Sequence, residues 1–166
     1  MKLDALDLKI LAALQRDGRM TKLRLAEAVN LSPSACFERV KRLEAGGYIR
    51  GYHARLDLAR IVRSTVVMVE VRLKSHDSAM FERFEQAVRA VPEIVDCWAV
   101  GGGPDYMLRA VCRDIEHYQS VIDGLLAAGA GIEKYFTYVV TKHVKSDAGY
   151  PIHALMEAGK TGSGAD

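Results

Sequence analysis

The chain has 166 residues, 49% of them apolar and 27% charged, with 23 Lys+Arg against 21 Asp+Glu for a formal net charge of +2. That composition excludes wholesale disorder, a collagen-like repeat and a miniprotein held together by disulfides. Asp4 and Asp7 precede any apolar run, no stretch approaches the roughly 20 apolar residues of a membrane span, and Cys36, Cys97 and Cys112 form no C-x-x-C pair, so a cytoplasmic chain with reduced thiols and no membrane contact is expected.

Asp4 suits the N-cap of a helix running to about Arg16, with Leu6, Ile10, Leu11 and Leu14 at helical spacing and Asp17-Gly18 as its stop. Thr21 caps a second helix whose apolar stripe is Leu23, Leu25, Ala26 and Val29, and Asn30 ends it. Ser32-Pro33 opens a third, a capping hydroxyl followed by proline at the first helical position, where a missing N–H costs nothing. This helix reaches about Ala45 and stops at Gly46-Gly47. Three short helices with a tight turn between the last two describe a helix-turn-helix.

In the third helix Cys36, Val40 and Leu43 face the core, which puts Ser34, Glu38, Lys41 and Arg42 on the opposite side with Phe37 and Arg39 on the flanks. Residues 1–60 carry 12 Lys+Arg against 7 Asp+Glu, whereas residues 61–166 carry 11 against 14. A basic module beside a mildly acidic one is the footprint expected where one half meets a phosphate backbone. Arg39, Lys41 and Arg42, three cations within four residues, suit a major groove that small Ser34 lets the helix approach closely. Ser32, Glu38 and Arg50 complete the candidate DNA contacts. Residues 48–56 read as extended: a wing that adds Arg50 and Arg55 to the phosphate contacts, or an arm. Their alternating aromatics favour pairing with a second chain.

The rest of the chain changes period. Residues 64–74 form a β-branched strand with Val67, Val69, Val71 and Leu73 on one face and Val66, Met68, Glu70 and Arg72 on the other. A helix carrying Met80, Phe81, Phe84, Ala87, Val88 and Val91 ends at Pro92, and residues 93–100 are a second strand. Gly101-Gly102-Gly103-Pro104 turns the chain into a third strand over 105–113. Ile115, Tyr118, Ile122, Leu125 and Leu126 mark a second helix closed by Gly129 and Gly131, and residues 132–145 are a long final strand. The order is βαββαβ, a ferredoxin-like unit with two helices on one face of an antiparallel sheet, so the fold class is α+β. In the final strand Ile132, Phe136, Tyr138, Val140 and Val144 point one way and Glu133, Tyr135, Thr137, Val139, Thr141 and His143 the other. The second set is too apolar for solvent and too polar for a dry core, so a symmetric partner is expected to cover it, with a homodimer as the smallest unit. The expected division is therefore 1–60, 61–150 and a tail over 151–166. In that tail Ile152, Leu155 and Met156 either dock on a neighbouring subunit or fray, and the segment from Gly159 has a disordered composition.

Taken in order, Leu3-Asp4-Ala5-Leu6-Asp7-Leu8-Lys9-Ile10-Leu11, Leu31-Ser32-Pro33-Ser34 leading to Arg39-Val40-Lys41-Arg42-Leu43-Glu44, Gly47-Tyr48-Ile49-Arg50-Gly51-Tyr52, the turn Gly102-Gly103-Pro104-Asp105-Tyr106 and an end strand with Thr137 resemble the Lrp/AsnC (feast/famine) transcriptional regulators over residues 3–145. The resemblance implies a winged helix-turn-helix, a linker strand and a C-terminal domain for effector binding and oligomerisation. It also implies double-stranded DNA as partner, amino acids or close relatives as effectors, and dimers that assemble to tetramers or octamers. The effector site it implies is Gly101, Gly102, Gly103, Pro104 and Asp105 together with Tyr135 and Thr137 of a neighbouring subunit's final strand. There glycine N–H groups approach a carboxylate, Asp105 answers an α-ammonium and Thr137 adds a hydroxyl. Pro104, which removes a donor, and Tyr135, where the family often has threonine, depart from the pattern.

Two rival readings carry less weight. Siroheme decarboxylases resemble this architecture, but His53, His76, His117, His143 and His153 are scattered with no metal spacing and no nucleophile–base pair, so neither an enzyme nor a metal or cofactor is expected. An RNA-binding sheet would need stacking aromatics, and residues 106–112 lack such a run.

Overall fold

A computed structural model of the chain describes residues 2–145 and 149–161, with side chains through Met156. In chain order the elements are α1 (Ala5–Arg16), α2 (Lys22–Ala28), α3 (Pro33–Ala45), α4 (Leu58–Ile61), β1 (Thr65–Leu73), α5 (Ser78–Arg89), β2 (Ile94–Ala99), β3 (Tyr106–Cys112), α6 (Ile115–Ala127), β4 (Ile132–Val139) and α7 (Ile152–Thr161). They fall into two compact units, one of residues 1–55 with 145–166 and one of residues 56–144.

The first unit starts where side chains satisfy free helix N–H groups. Asp4 accepts from the Asp7 N–H while Asp7 accepts from the Asp4 N–H, a reciprocal capping box. Thr21 accepts from the Arg24 N–H and Ser32 from the Ala35 N–H at the starts of α2 and α3. Asn30 takes a left-handed φ of 56° between these helices, a conformation asparagine tolerates well, and the Leu31 N–H closes back on Ala26 O at 2.9 Å. Ile10, Ala13, Leu25, Ala26, Val29, Cys36 and Leu43 are buried together where the three helices meet. Between α3 and α4 no strand forms. Residues 50–57 carry no regular element and pair with no strand among the described residues, because a lone ribbon has nothing to pair with; Tyr52 instead donates its hydroxyl to Glu44 at 2.9 Å. The end of the chain also departs from a simple tail. Residues 152–161 are helical and lie against α1, and Gln15 exchanges two hydrogen bonds with the Tyr150 backbone at 2.8 and 2.9 Å. Residues 162–166, the end of the segment expected to be disordered, lie outside the described part.

The second unit is a four-stranded antiparallel sheet in the order β2-β3-β1-β4. Helices α5 and α6 cover one face. Phe84 and Val88 of α5 and Tyr118, Ile122 and Leu125 of α6 are buried against Val67, Val69, Val71 and Leu73 of β1 and Leu108 and Ala110 of β3. Each large apolar side chain removed from water in this way contributes about 1.5–3 kcal/mol. The β1 alternation follows the sequence pattern residue for residue.

β4 corrects two expectations. It ends at Val139, and only Val140 N–H still reaches β1, at Val66 O, because β1 starts at Thr65 and offers nothing further to pair with. Its faces are also exchanged relative to a regular strand. Arg72 pairs with Lys134 but Leu73 with Ile132, so Glu133 is an extra residue, a bulge. Ile132 therefore shares the helix-covered face with Tyr135 and Thr137, while Phe136 and Tyr138 stand on the open face. No described helix is long and apolar enough to cross a membrane, and no group of three or more His, Cys, Asp or Glu suited to a metal ion occurs among the described residues.

Candidate functional site

Two places carry chemistry, one in each unit. In the first, Ser34, Glu38 and Lys41 lie on the exposed side of α3, with Ser32 spent on its cap and its Oγ 3.3 Å from that of Ser34. Lys41 has no partner among the described residues. Arg50 is exposed on the extended segment that follows. Arg39 and Arg42 behave differently from a free basic cluster. Arg39 Nη1 donates to Asp4 Oδ2 at 2.7 Å and to Asp7 Oδ1 at 2.8 Å, and Arg42 Nη2 donates to both Asp7 oxygens at 2.8 and 2.9 Å. Asp7 is completely buried. Its four acceptor positions are filled by the two guanidinium groups and the Asp4 N–H, so its charge is matched as burial requires. The Asp7 N–H and then the Arg39 guanidinium hold the Asp4 carboxyl below the usual range, and the two carboxylates push Arg39 up.

Asp7 gathers both guanidinium groups, although the capping and charge patterns do not single it out. Its signal was present: Leu3, Asp7, Ile10 and Leu14 fall on one stripe, and a charge at a core position requires a buried partner. Phe37, on the flank of α3, has Lys22 Nζ 3.9 Å from its ring centroid, a cation held over an aromatic face beside the exposed side of the helix.

In the second unit Gly101, Gly102 and Gly103 are exposed between β2 and β3. Gly102 needs its freedom, with φ at 125°. Gly101 and Gly103 do not, and a Cβ at any of the three would meet no atom within 4 Å. Arg72 Nη2 donates to Gly103 O at 2.9 Å, and Pro104 is half-buried. Asp105 is tied in four ways. Its Oδ2 accepts from Leu73 N–H at 2.8 Å and its Oδ1 lies 2.9 Å from His76 Nε2. Its own N–H donates to Val71 O, and its carbonyl accepts from Val100 N–H. The His76 ring stacks on Phe81, a contact that spacing alone did not reveal. Behind the turn, Tyr106 donates to Glu85 at 3.0 Å, and burial followed by that carboxylate pushes its phenol up to about 12.

Tyr135 is half-buried against the core, and the Thr137 hydroxyl is 2.6 Å from the Tyr118 hydroxyl of α6. β1 stands between β4 and β3 in the sheet, so within one chain these two residues are not brought to the glycine turn. The open sheet face carries Trp98, Phe136 and Tyr138, all close to half exposed, beside the Arg109–Asp96 ion pair.

Residues 3–50 match a winged helix-turn-helix DNA-binding family, and residues 66–150 match the Lrp/AsnC ligand binding domain. The chain is 54% identical to the transcriptional regulatory protein DoeX of Halomonas elongata, over 87% of this chain and 92% of that one. It is 39% identical to the leucine-responsive regulatory protein of Escherichia coli K12, over 86% and 87%. Among solved structures, a Neisseria meningitidis transcriptional regulator in complex with L-Met superposes with a TM-score of 0.85 at 32% identity, over 93% of this chain and 99% of that one. An AsnC family transcriptional regulator from Agrobacterium tumefaciens gives 0.85 at 31%, over 92% and 99%. These relatives are regulators rather than enzymes. A helix-turn-helix unit followed by a ligand-binding sheet unit, at this identity and over nearly the whole chain, places the protein in the Lrp/AsnC family of transcriptional regulators.

Proposed function

We propose that this regulator binds an amino acid or a closely related metabolite at the Gly101–Asp105 turn, completed by Tyr135 and Thr137 of a neighbouring subunit, and that the ligand modulates its DNA binding or assembly. The observation that carries this reading is the glycine run. Neither the backbone nor any neighbouring atom requires glycine at 101 and 103, so the bare main chain there is suited to a ligand that approaches closely. A ligand carboxylate takes the exposed N–H groups, and the Asp105 carboxylate answers the ammonium. The Neisseria relative with L-Met supports the ligand class.

On the DNA side, Ser34, Glu38 and Lys41 face the major groove and Arg50 meets phosphate, with Ser32 at the helix start. Two such helices on a two-fold axis read half-sites about one DNA turn apart or a multiple of it. The half-exposed Trp98, Phe136 and Tyr138 support a second copy covering the open sheet face, with tetramers or octamers built on that dimer. The ligand acts by linkage: whichever assembly it binds better, it populates, and DNA affinity follows. The test is a thermal-shift screen of the proteinogenic amino acids and their catabolites, followed by gel-shift titration with each ligand that raises the melting temperature. A stabilising ligand that changes DNA affinity is the expected result. If no amino-acid-like ligand stabilises the protein or alters its gel shift, the effector reading is wrong.

A further inference from the structure

The Arg39-Val40-Lys41-Arg42 run looks like three cations offered to DNA, yet two of them are already matched inside the protein. Arg39 and Arg42 converge from successive turns of α3 on one fully buried carboxylate of α1, and Arg39 also holds the exposed Asp4. Lys41, between them in sequence, points to solvent with no partner among the described residues. We propose that Asp7 is a positioning residue for DNA recognition: it locks α3 against α1 and withdraws Arg39 and Arg42 from the phosphate backbone, leaving Lys41 as the cation of this run that meets DNA.

The argument is one of charge accounting. A cation that contacts a DNA phosphate releases a condensed counterion, and each such contact adds about 0.9 to the slope of log affinity against log salt. A guanidinium already neutralised by a carboxylate in its own chain releases none. Arg39 is three-quarters buried and Arg42 about half exposed, and the hydrogen bonds to Asp7 hold both guanidinium groups against α1, so swinging either out to a phosphate would strip Asp7 of a partner. An unmatched buried carboxylate is far costlier than a phosphate contact is favourable. The clamp thus makes the helix face selective: a short hydroxyl, a carboxylate and one lysine, rather than a uniformly basic surface that would hold any duplex.

The inference rests on α3 being the DNA-contacting helix, and the experiment separates the two ideas. Full-length protein is titrated with a short mixed-sequence duplex by fluorescence anisotropy across a range of salt concentrations, for wild type and for K41Q, R39Q, R42Q and D7N. K41Q is expected to lower the salt slope by about 0.9, whereas R39Q and R42Q leave it at the wild-type value while lowering the melting temperature. D7N, which frees both arginines, is expected to steepen the slope by about 0.9 for each one that gains a phosphate and to raise affinity for the mixed duplex severalfold. A purely structural clamp would change melting temperature and leave every slope alone. A drop in slope for R39Q or R42Q matching that of K41Q overturns the proposal, as does a folded D7N with an unchanged slope. If D7N does not fold, the two arginine variants decide. Should K41Q also leave the slope untouched, α3 is not the DNA-facing helix, and the proposal falls with that reading.

Discussion

Replacing Asp105 separates two roles that its carboxylate combines. One oxygen accepts the Leu73 N–H at 2.8 Å, at the end of β1 where the β4 bulge interrupts regular pairing, and Leu73 is buried. The other faces His76, whose side chain is 65% exposed. Asp105→Ala leaves the Leu73 N–H without its acceptor, at a cost of about 1–3 kcal/mol. The exposed His76 pair adds only ~0–1 kcal/mol. At ~2–4 °C per kcal/mol for a chain of this size, the melting temperature is expected to fall by ~2–16 °C. Asp105→Asn keeps an oxygen for the Leu73 N–H and loses only the charge, so its melting temperature stays within ~4 °C of wild type. Both variants are expected to lose the stabilisation given by an amino-acid ligand, because neither offers an anion to the ammonium. The assay is differential scanning fluorimetry of the three proteins with and without the ligands that stabilise wild type. An alanine variant as stable as the asparagine one would refute the strand-tethering argument, and undiminished ligand stabilisation in Asp105→Asn would remove the carboxylate from the binding site.

Other positions give further tests. Ser32→Ala removes the α3 cap and is expected to cost about 1 kcal/mol, read as a lower urea midpoint with an unchanged denaturant slope. Phe84→Ala, at the centre of the sheet–helix core, is expected to cost about 3–5 kcal/mol, and a loss under ~1 kcal/mol would mean that the site collapses to fill the space. Tyr106 and Tyr52, both pushed up to about 12 from an ordinary value of 10 chiefly by burial, stay neutral in the folded protein while the unfolded chain ionises. Their contribution is complete below pH ~10 and is lost as pH rises through ~12. Tyr106→Phe is therefore expected to flatten the fall of melting temperature over that window, and an unchanged alkaline profile would contradict it.

Local rules were legible in the sequence because local chemistry decides them. Asp4, Thr21 and Ser32 each cap the helix they precede, and the alternation of β1 places its four buried residues without error. The exposed glycines of 101–103 were equally plain, since a triple glycine between two strands has few other uses. What escaped depends on how elements cross. Asp7 and its two arginines are 32 and 35 residues apart, and only the packing of α1 on α3 makes them one group. His76 meets Asp105 because the end of β1 lies beside the start of β3. The segment over 50–57 has strand-like residues but no strand, since pairing needs a second strand and no described residue supplies one beside it.

The bulge in β4 loops one residue out of the ladder, so Glu133 can be present without reversing anything after it. Deleting Glu133 would let Ile132 and Lys134 follow Leu73 and Arg72 as consecutive partners, keeping the Thr137 hydroxyl beside Tyr118 and both aromatic rings on the bare surface. A one-codon deletion at Phe136, past the bulge, has no such slack and would turn Thr137 outward and Tyr138 in toward α6. Loss of the bulge residue should therefore be far better tolerated than a length change further along the same strand.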